Sequence, residues 1–175
     1  MGFPYQTNDV LTAADLNQSS GLVLVKTQTV GSAVSTVTLT GLTGFNVYQF
    51  VFERIDPTVG VLMLIDDFTN FTSSLWNATT LLWNSSATPA LYTNTNSPDA
   101  YFGLFDTNRS AITLTVYNLN QAGRTRFHAM SQHSNGIAIG GGMYNADTTS
   151  TTLTFKTSSG TMTGGTIRVY GYNDG

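Results

Sequence analysis

The chain has 175 residues, a formal net charge of −3 and only 10% charged side chains, against a usual ~25%. With no cysteine it has no disulfide framework, thiolate metal site or cysteine nucleophile, and with no Lys/Arg cluster it lacks the phosphate attraction of a nucleic-acid binder. The length suggests one domain, large enough to bury roughly 70% of the surface its unfolded chain exposes.

Taken in chain order, residues 1–10 (MGFPYQTNDV) show neither a basic n-region nor an apolar h-region. Gln6 stands where a myristoylation motif requires Ser or Thr. The longest apolar run, residues 59–65, is too short to span a bilayer. The expectation is a soluble product made in a cytosol, with no membrane and no nucleic-acid partner. Residues 1–20 read as an arm carrying Phe3 and Tyr5, followed by a short helix. Pro4 disfavours helix at Phe3, Thr12 can cap, and Leu11 and Leu16 supply apolar contacts. A helix this short is marginal alone, so it must dock.

From residue 21 the pattern changes to period two, the signature of strands with one buried face. Residues 21–30 and 35–40 form the first two strands, with Val37 and Leu39 inward in the second. Residues 47–55 set Tyr48, Phe50 and Phe52 on one face against Gln49, Val51 and Glu53 on the other, with Asp56-Pro57 as the stop. Residues 60–65 form a buried run. Residues 68–100 are hard to read, with strands expected near 76–84 and 101–105. Residues 110–117 point Ile112, Leu114 and Val116 inward, and residues 124–132 and 136–144 form a hairpin. The Gly140-Gly141-Gly142 run weakens the end of that strand or marks a bulge. Leu153 and Phe155, then Ile167 and Val169, alternate with polar residues and read as two antiparallel strands joined by a glycine-rich loop. Their outer face, with Lys156, Arg168 and Tyr170, is a candidate subunit contact.

About nine or ten short strands without parallel βαβ alternation predict an all-β fold, an antiparallel β-sandwich of jelly-roll-like build with an N-terminal arm and short helix. Residues 1–20 are the attachment segment and residues 21–175 the sandwich domain.

No constellation carries catalysis. His128 and His133 have no neighbouring carboxylate and fall on opposite faces of one strand. Asp66-Asp67 reads as a solvated turn rather than a cation site. The glycine run precedes no helix and forms no phosphate cradle. Glu53 is the only glutamate, which leaves glycoside hydrolysis without a carboxylate pair to prefer. Asn17, Asn70, Asn77, Asn84 and Asn108 begin N-x-[ST] sequons that reflect Asn/Ser/Thr-rich loops. Trp76 and Trp83 face opposite sides of a strand and suit core or subunit-interface packing better than sugar stacking. No cofactor, metal or catalytic residue is expected.

Two stretches carry a family resemblance. Residues 9–17, DVLTAADLN, resemble the VLTAxDLN segment near the N-terminus of many tailed-bacteriophage fibre and accessory structural proteins. Residues 140–172, from GGGMYN through TLTFKTSSGTMTGGTIRVYGY, resemble the C-terminal strands of small phage structural proteins, including marine and cyanobacterial phage proteins. Residues 21–53 are broadly similar as well, so the resemblance covers the two ends and about half of the chain. It implies a non-enzymatic virion structural protein of the capsid decoration (cement) or head-fibre type, on the particle surface and assembled in the bacterial host cytoplasm. The alternative is a short tail-fibre or tail-tip receptor-binding module. The implied partners are further copies of the chain, as a trimer, together with the major capsid protein or another virion protein, and a host-surface glycan in the tail reading. The attachment and interface residues implied are Phe3, Tyr5, Leu11, Leu16, Arg168 and Tyr170.

Overall fold

The computed structural model describes residues 21–59, 61–65, 76–84, 89–105, 110–134, 136–147 and 149–172. The arm and short helix expected at residues 1–20, with Phe3, Tyr5, Leu11 and Leu16, lie outside the described residues, as does Asp66-Asp67.

The fold is all-β and its strand pairing antiparallel throughout. The strands are β1 (Val23–Thr29), β2 (Thr36–Thr40), β3 (Val47–Pro57), β4 (Val61–Ile65), β5 (Trp76–Asn84), β6 (Ala90–Ser97) and β7 (Ala100–Phe105). They continue as β8 (Ser110–Tyr117), β9 (Arg124–His133), β10 (Gly136–Asp147), β11 (Thr152–Thr157), β12 (Met162–Thr163) and β13 (Thr166–Tyr172). The larger sheet runs β1-β13-β3-β8-β9-β10-β5-β6, with β12 pairing β3, and the smaller runs β2-β11-β4-β7.

The alternation read from the sequence decides which faces meet. Tyr48, Phe50 and Phe52 on β3, Ile112, Leu114 and Val116 on β8, and Ile167 and Val169 on β13 are buried in one core cluster. From the smaller sheet that cluster takes Val37, Leu39, Phe102, Leu153 and Phe155. Phe155 stands edge-on to Phe52 and Phe50, at ring-centroid distances of 5.0 and 5.3 Å. Offset and edge-on contacts of this kind are the favourable arrangements for aromatic quadrupoles. Two sheets thus meet across an aromatic seam, an arrangement compatible with a β-sandwich.

Three expectations are corrected. The two last long strands are not a pair. β11 lies between β2 and β4 in the smaller sheet, whereas β13 lies between β1 and β3 in the larger. The glycine-rich link carries the chain across the core, and Gly164 and Gly165 make the turn at φ of 64° and 84°. At Gly165 a side chain would also have no room, since a Cβ would fall 2.5 Å from the Arg54 carbonyl oxygen.

Next, Gly140 to Gly142 neither end β10 nor bulge it, because pairing with β5 continues unbroken from Gly136↔Asn84 to Tyr144↔Trp76. The glycines instead allow close approach: a Cβ on Gly142 would lie 2.4 Å from the Asn77 carbonyl oxygen and 2.8 Å from the Phe127 ring.

Thirdly, β3 does not stop before Asp56-Pro57. It passes a register shift between Phe52 and Ile55, where Arg54 takes a φ of 55°. The extra residue lets Phe52 and Ile55, three apart, both reach the core.

Two strands were not foreseen: the two-residue β12 inside the glycine-rich link, and β6. β6 lies in the polar stretch before residue 100 and forms the outer edge of the larger sheet. The β9-β10-β5-β6 part of that sheet is backed by β7. Buried Thr80 donates from its hydroxyl to the Tyr101 carbonyl at 2.9 Å, and the Leu104 N–H donates to the hydroxyl of buried Ser131 at 3.1 Å. These hydroxyls satisfy backbone groups of β7, which as an edge strand has no further strand to pair with.

Candidate functional site

The interface residues expected on the last strands are separated by the fold. Arg168 and Tyr170 point outward from β13 in the larger sheet, whereas Lys156 lies on β11 in the smaller one. The three therefore form no common face. Arg168 forms an ion pair with Glu53 on β3, beside a surface depression of about 460 Å³ that Arg54, Asp56 and Gly165 also line. Lys156 pairs with Asp99 at 2.6 Å. Tyr170 is flanked by Leu24 of β1 and Gln49 of β3.

The registers assemble a different surface. Directly paired residues share a face of the sheet. One rung of the larger sheet reads Leu91–Leu81–Ile139–Met130–Thr113–Val51–Arg168–Thr27, crossing all eight strands from β6 to β1. The next rung toward the β5 C-terminus reads Trp83–Ile137–Gln132–Ala111. Leu91, Leu81, Ile139, Met130, Trp83 and Ile137 are each between 38% and 63% exposed. They account for six of the nine large hydrophobic residues exposed among those described, so exposed apolar area is concentrated at one place.

Part of this half-sheet, residues 137–142 of β10, is arranged inside out. On β10 the core face carries Ala138, Gly140 and Gly142, whereas the outer face carries Ile137 and Ile139. On β5 the inward Trp76, Ala78, Thr80 and Leu82 oppose the outward Leu81 and Trp83. Between residues 137 and 142 the larger side chains of β10 thus face away from the core, and only at Tyr144, packed on Trp76, does a large side chain of this strand turn inward.

Beyond the Leu81–Ile139 rung, the missing side chain of Gly141 leaves a shallow groove of about 670 Å³, lined by Asn77, Thr79, Thr93, Asn94, Arg126 and Met143 among others. His128 pairs with Gly141 across β9 and β10, and its Nδ1 lies 3.3 Å from the Tyr117 hydroxyl. Apolar residues lie in the middle of this face, and amides, hydroxyls, Arg126 and His128 form a polar margin on one side, the layout of an interface core and rim. Among the described residues no group of three or more His, Asp or Glu side chains could hold a metal ion. No helix among them is long and apolar enough to cross a membrane.

The sequence alone missed this face. Its signal was present in GIAIGGGMY, where isoleucines alternate with alanine and glycine. Ordinary reasoning turns the isoleucines inward. Only the pairing with β5 and β9 shows that Trp76 and Phe127 fill the core instead, their ring centroids 5.8 Å apart.

Comparison with family models, curated proteins and solved structures finds no match for this chain.

Proposed function

We propose that the protein is a non-enzymatic structural protein of a tailed-bacteriophage virion, a capsid decoration or head-fibre protein that attaches through residues 1–20 and assembles with further copies of itself. The observation that carries this reading is the strand order. Without the β5-β6 and β9-β10 additions, β1-β13-β3-β8 faces β2-β11-β4-β7. That is the order of a jelly roll, two Greek keys folded over one another, which recurs in viral capsid and lectin domains. Fold alone does not assign function. The reading draws also on the phage-like segments at residues 9–17 and 140–172, and on a surface wetted by Thr, Ser and Asn rather than by charge.

The test is deletion of residues 1–18. The shortened protein is expected to keep its far-UV spectrum and melting transition but to be absent from purified particles. Normal incorporation would overturn the attachment role.

A second reading, a tail receptor-binding module, is favoured by the groove at Gly141, whose outward Asn77, Thr79 and Thr93 side chains suit the hydroxyls of a host-surface glycan. Copy number separates the two: hundreds per virion for decoration, tens or fewer for a tail. In the second case the purified protein would also block adsorption to host cells.

A further inference from the structure

We infer that the outer face of β9-β10-β5-β6 is where copies of this chain meet, with Leu91, Leu81, Ile139, Met130, Trp83 and Ile137 as the buried centre. This names the surface for the self-assembly proposed above, and it is tested in solution, apart from any virion.

Three observations carry it. The first is size. The six side chains leave exposed roughly 600 Å² of mostly apolar surface, at the top of what monomers carry and close to the ~800 Å² each partner contributes to a standard interface. The second is composition. No charged residue lies among the six, and the Leu91–Leu81–Ile139–Met130 rung carries no hydrogen-bond donor and no acceptor beyond the weak thioether of Met130. Such a face resembles a domain core cut in half, the character of an obligate contact between identical chains, whereas contacts with other partners are more polar. The third is the inversion of residues 137–142 of β10. Ile137 and Ile139 outside and Ala138, Gly140 and Gly142 inside give the outer face the side chains of a sandwich core. Laying two such faces together makes a second sandwich seam, at the ~10 Å spacing of stacked sheets.

Electrostatics permits the match. Arg126 and His128 lie on the polar margin, one to two rungs from Met130 along β9. A two-fold axis along the apolar rung carries Arg126 of one copy to the opposite end of the interface from its mate. A two-fold contact of this kind is isologous and needs only one patch per copy. Three copies turning the same patch toward a common axis bury the same residues.

The experiment is mass measurement by sedimentation equilibrium on the full chain. The wild type is expected at two or three times the 18.8 kDa chain mass. Leu91→Lys combined with Ile139→Lys should reduce it to one chain mass with an unchanged far-UV spectrum. Thr27→Lys, at the far end of the same rung, should leave the assembly intact. A monomeric wild type at about 100 µM would overturn the inference, as would an assembly that survives the double substitution in a folded protein. So would a wild-type monomer whose mass rises only on adding capsid protein, since the face would then belong to that partner.

Tryptophan quenching by acrylamide gives an independent measure on unmutated protein. Trp76 is buried in the core and Trp83 is 57% exposed in the single chain. Both are shielded in the assembly, and dilution to monomer should open one of the two to quencher. An equally quenchable Trp83 at high and low concentration would refute the interface without any variant.

Discussion

Phe52 of the larger sheet and Phe155 of the smaller one meet edge to face, with ring centroids 5.0 Å apart and planes at 83°. Phe102 of β7 closes on both, at 5.7 Å from each. All three rings are fully buried, so this trio joins the two sheets at the middle of the core. Phe155→Ala removes two of these three contacts and leaves a cavity whose walls are rigid aromatics. A loss of about 3–5 kcal/mol is expected, read as a lowered midpoint in urea unfolding with an unchanged slope. Phe155→Leu should recover part of it, because the volume deficit is smaller.

Gly142→Ala tests whether the glycine run is a packing device. The added methyl would meet the Asn77 carbonyl and the Phe127 ring, one of them backbone that cannot rotate away. A destabilisation of about 1–3 kcal/mol is expected. Gly141→Ala points its methyl to the outer face, where its nearest neighbour is the Phe127 carbonyl oxygen at 3.3 Å and the His128 Cα and Cβ lie at 3.9 and 4.0 Å, so it should cost clearly less. Equal effects at the two positions would argue for a loss of chain flexibility instead of a steric conflict.

Tyr48 predicts an alkaline limb. Burial pushes its phenol above the usual range, while hydrogen bonding at the Phe45 backbone and the Asn120 side chain pulls the other way. The unfolded chain releases this proton near pH 10, the folded chain only at higher pH. Above about pH 10 the unfolded state therefore binds fewer protons and stability falls as pH rises, with the contribution intact below. Tyr48→Phe should cost about 1 kcal/mol at pH 7 through the lost contact with Asn120. The gap between wild type and variant should narrow as urea midpoints are followed from pH 9 to pH 11.

The Arg168–Glu53 ion pair lies at the surface, with both side chains more than a third exposed. Surface pairs contribute little. Arg168→Gln should change the unfolding midpoint by less than about 1 kcal/mol and leave the assembled mass unchanged, since Arg168 lies three strands beyond Met130 on the shared rung. Dissociation on this substitution would move the subunit contact to the β13 face.

Much of the fold was legible wherever alternation was written in residues of unequal character. Tyr48, Phe50 and Phe52 against Gln49, Val51 and Glu53 can be read only one way, and Leu153 with Phe155 likewise. The reading failed where both faces are alike in size or polarity. β6 alternates inward Tyr92 and Asn94 with outward Leu91 and Thr93, and its polar inward residues conceal a strand. Asn94 is accommodated because its amide donates to the Asp99 carbonyl at 2.8 Å. The error over β11 and β13 has another source. A glycine-rich link of hairpin length fits a crossing between sheets equally well, and local sequence does not distinguish them. The apolar outer face was hidden for a related reason: its six residues come from four strands and become neighbours only through register.

The position of β13 has a consequence for synthesis. The strands made first, β1 and β3, are each hydrogen-bonded to β13, and β2 and β4 are each bonded to β11. As the chain leaves the ribosome these four early strands have no partner among one another and wait for roughly a hundred residues before either bridging strand emerges. The nascent chain therefore carries unsatisfied strand edges through most of its translation, and closes in a late, cooperative step. A premature stop just before residue 152 would release a product in which β1 and β2 have lost the strands that tie them to their sheets, a species prone to aggregate rather than a shortened but serviceable protein.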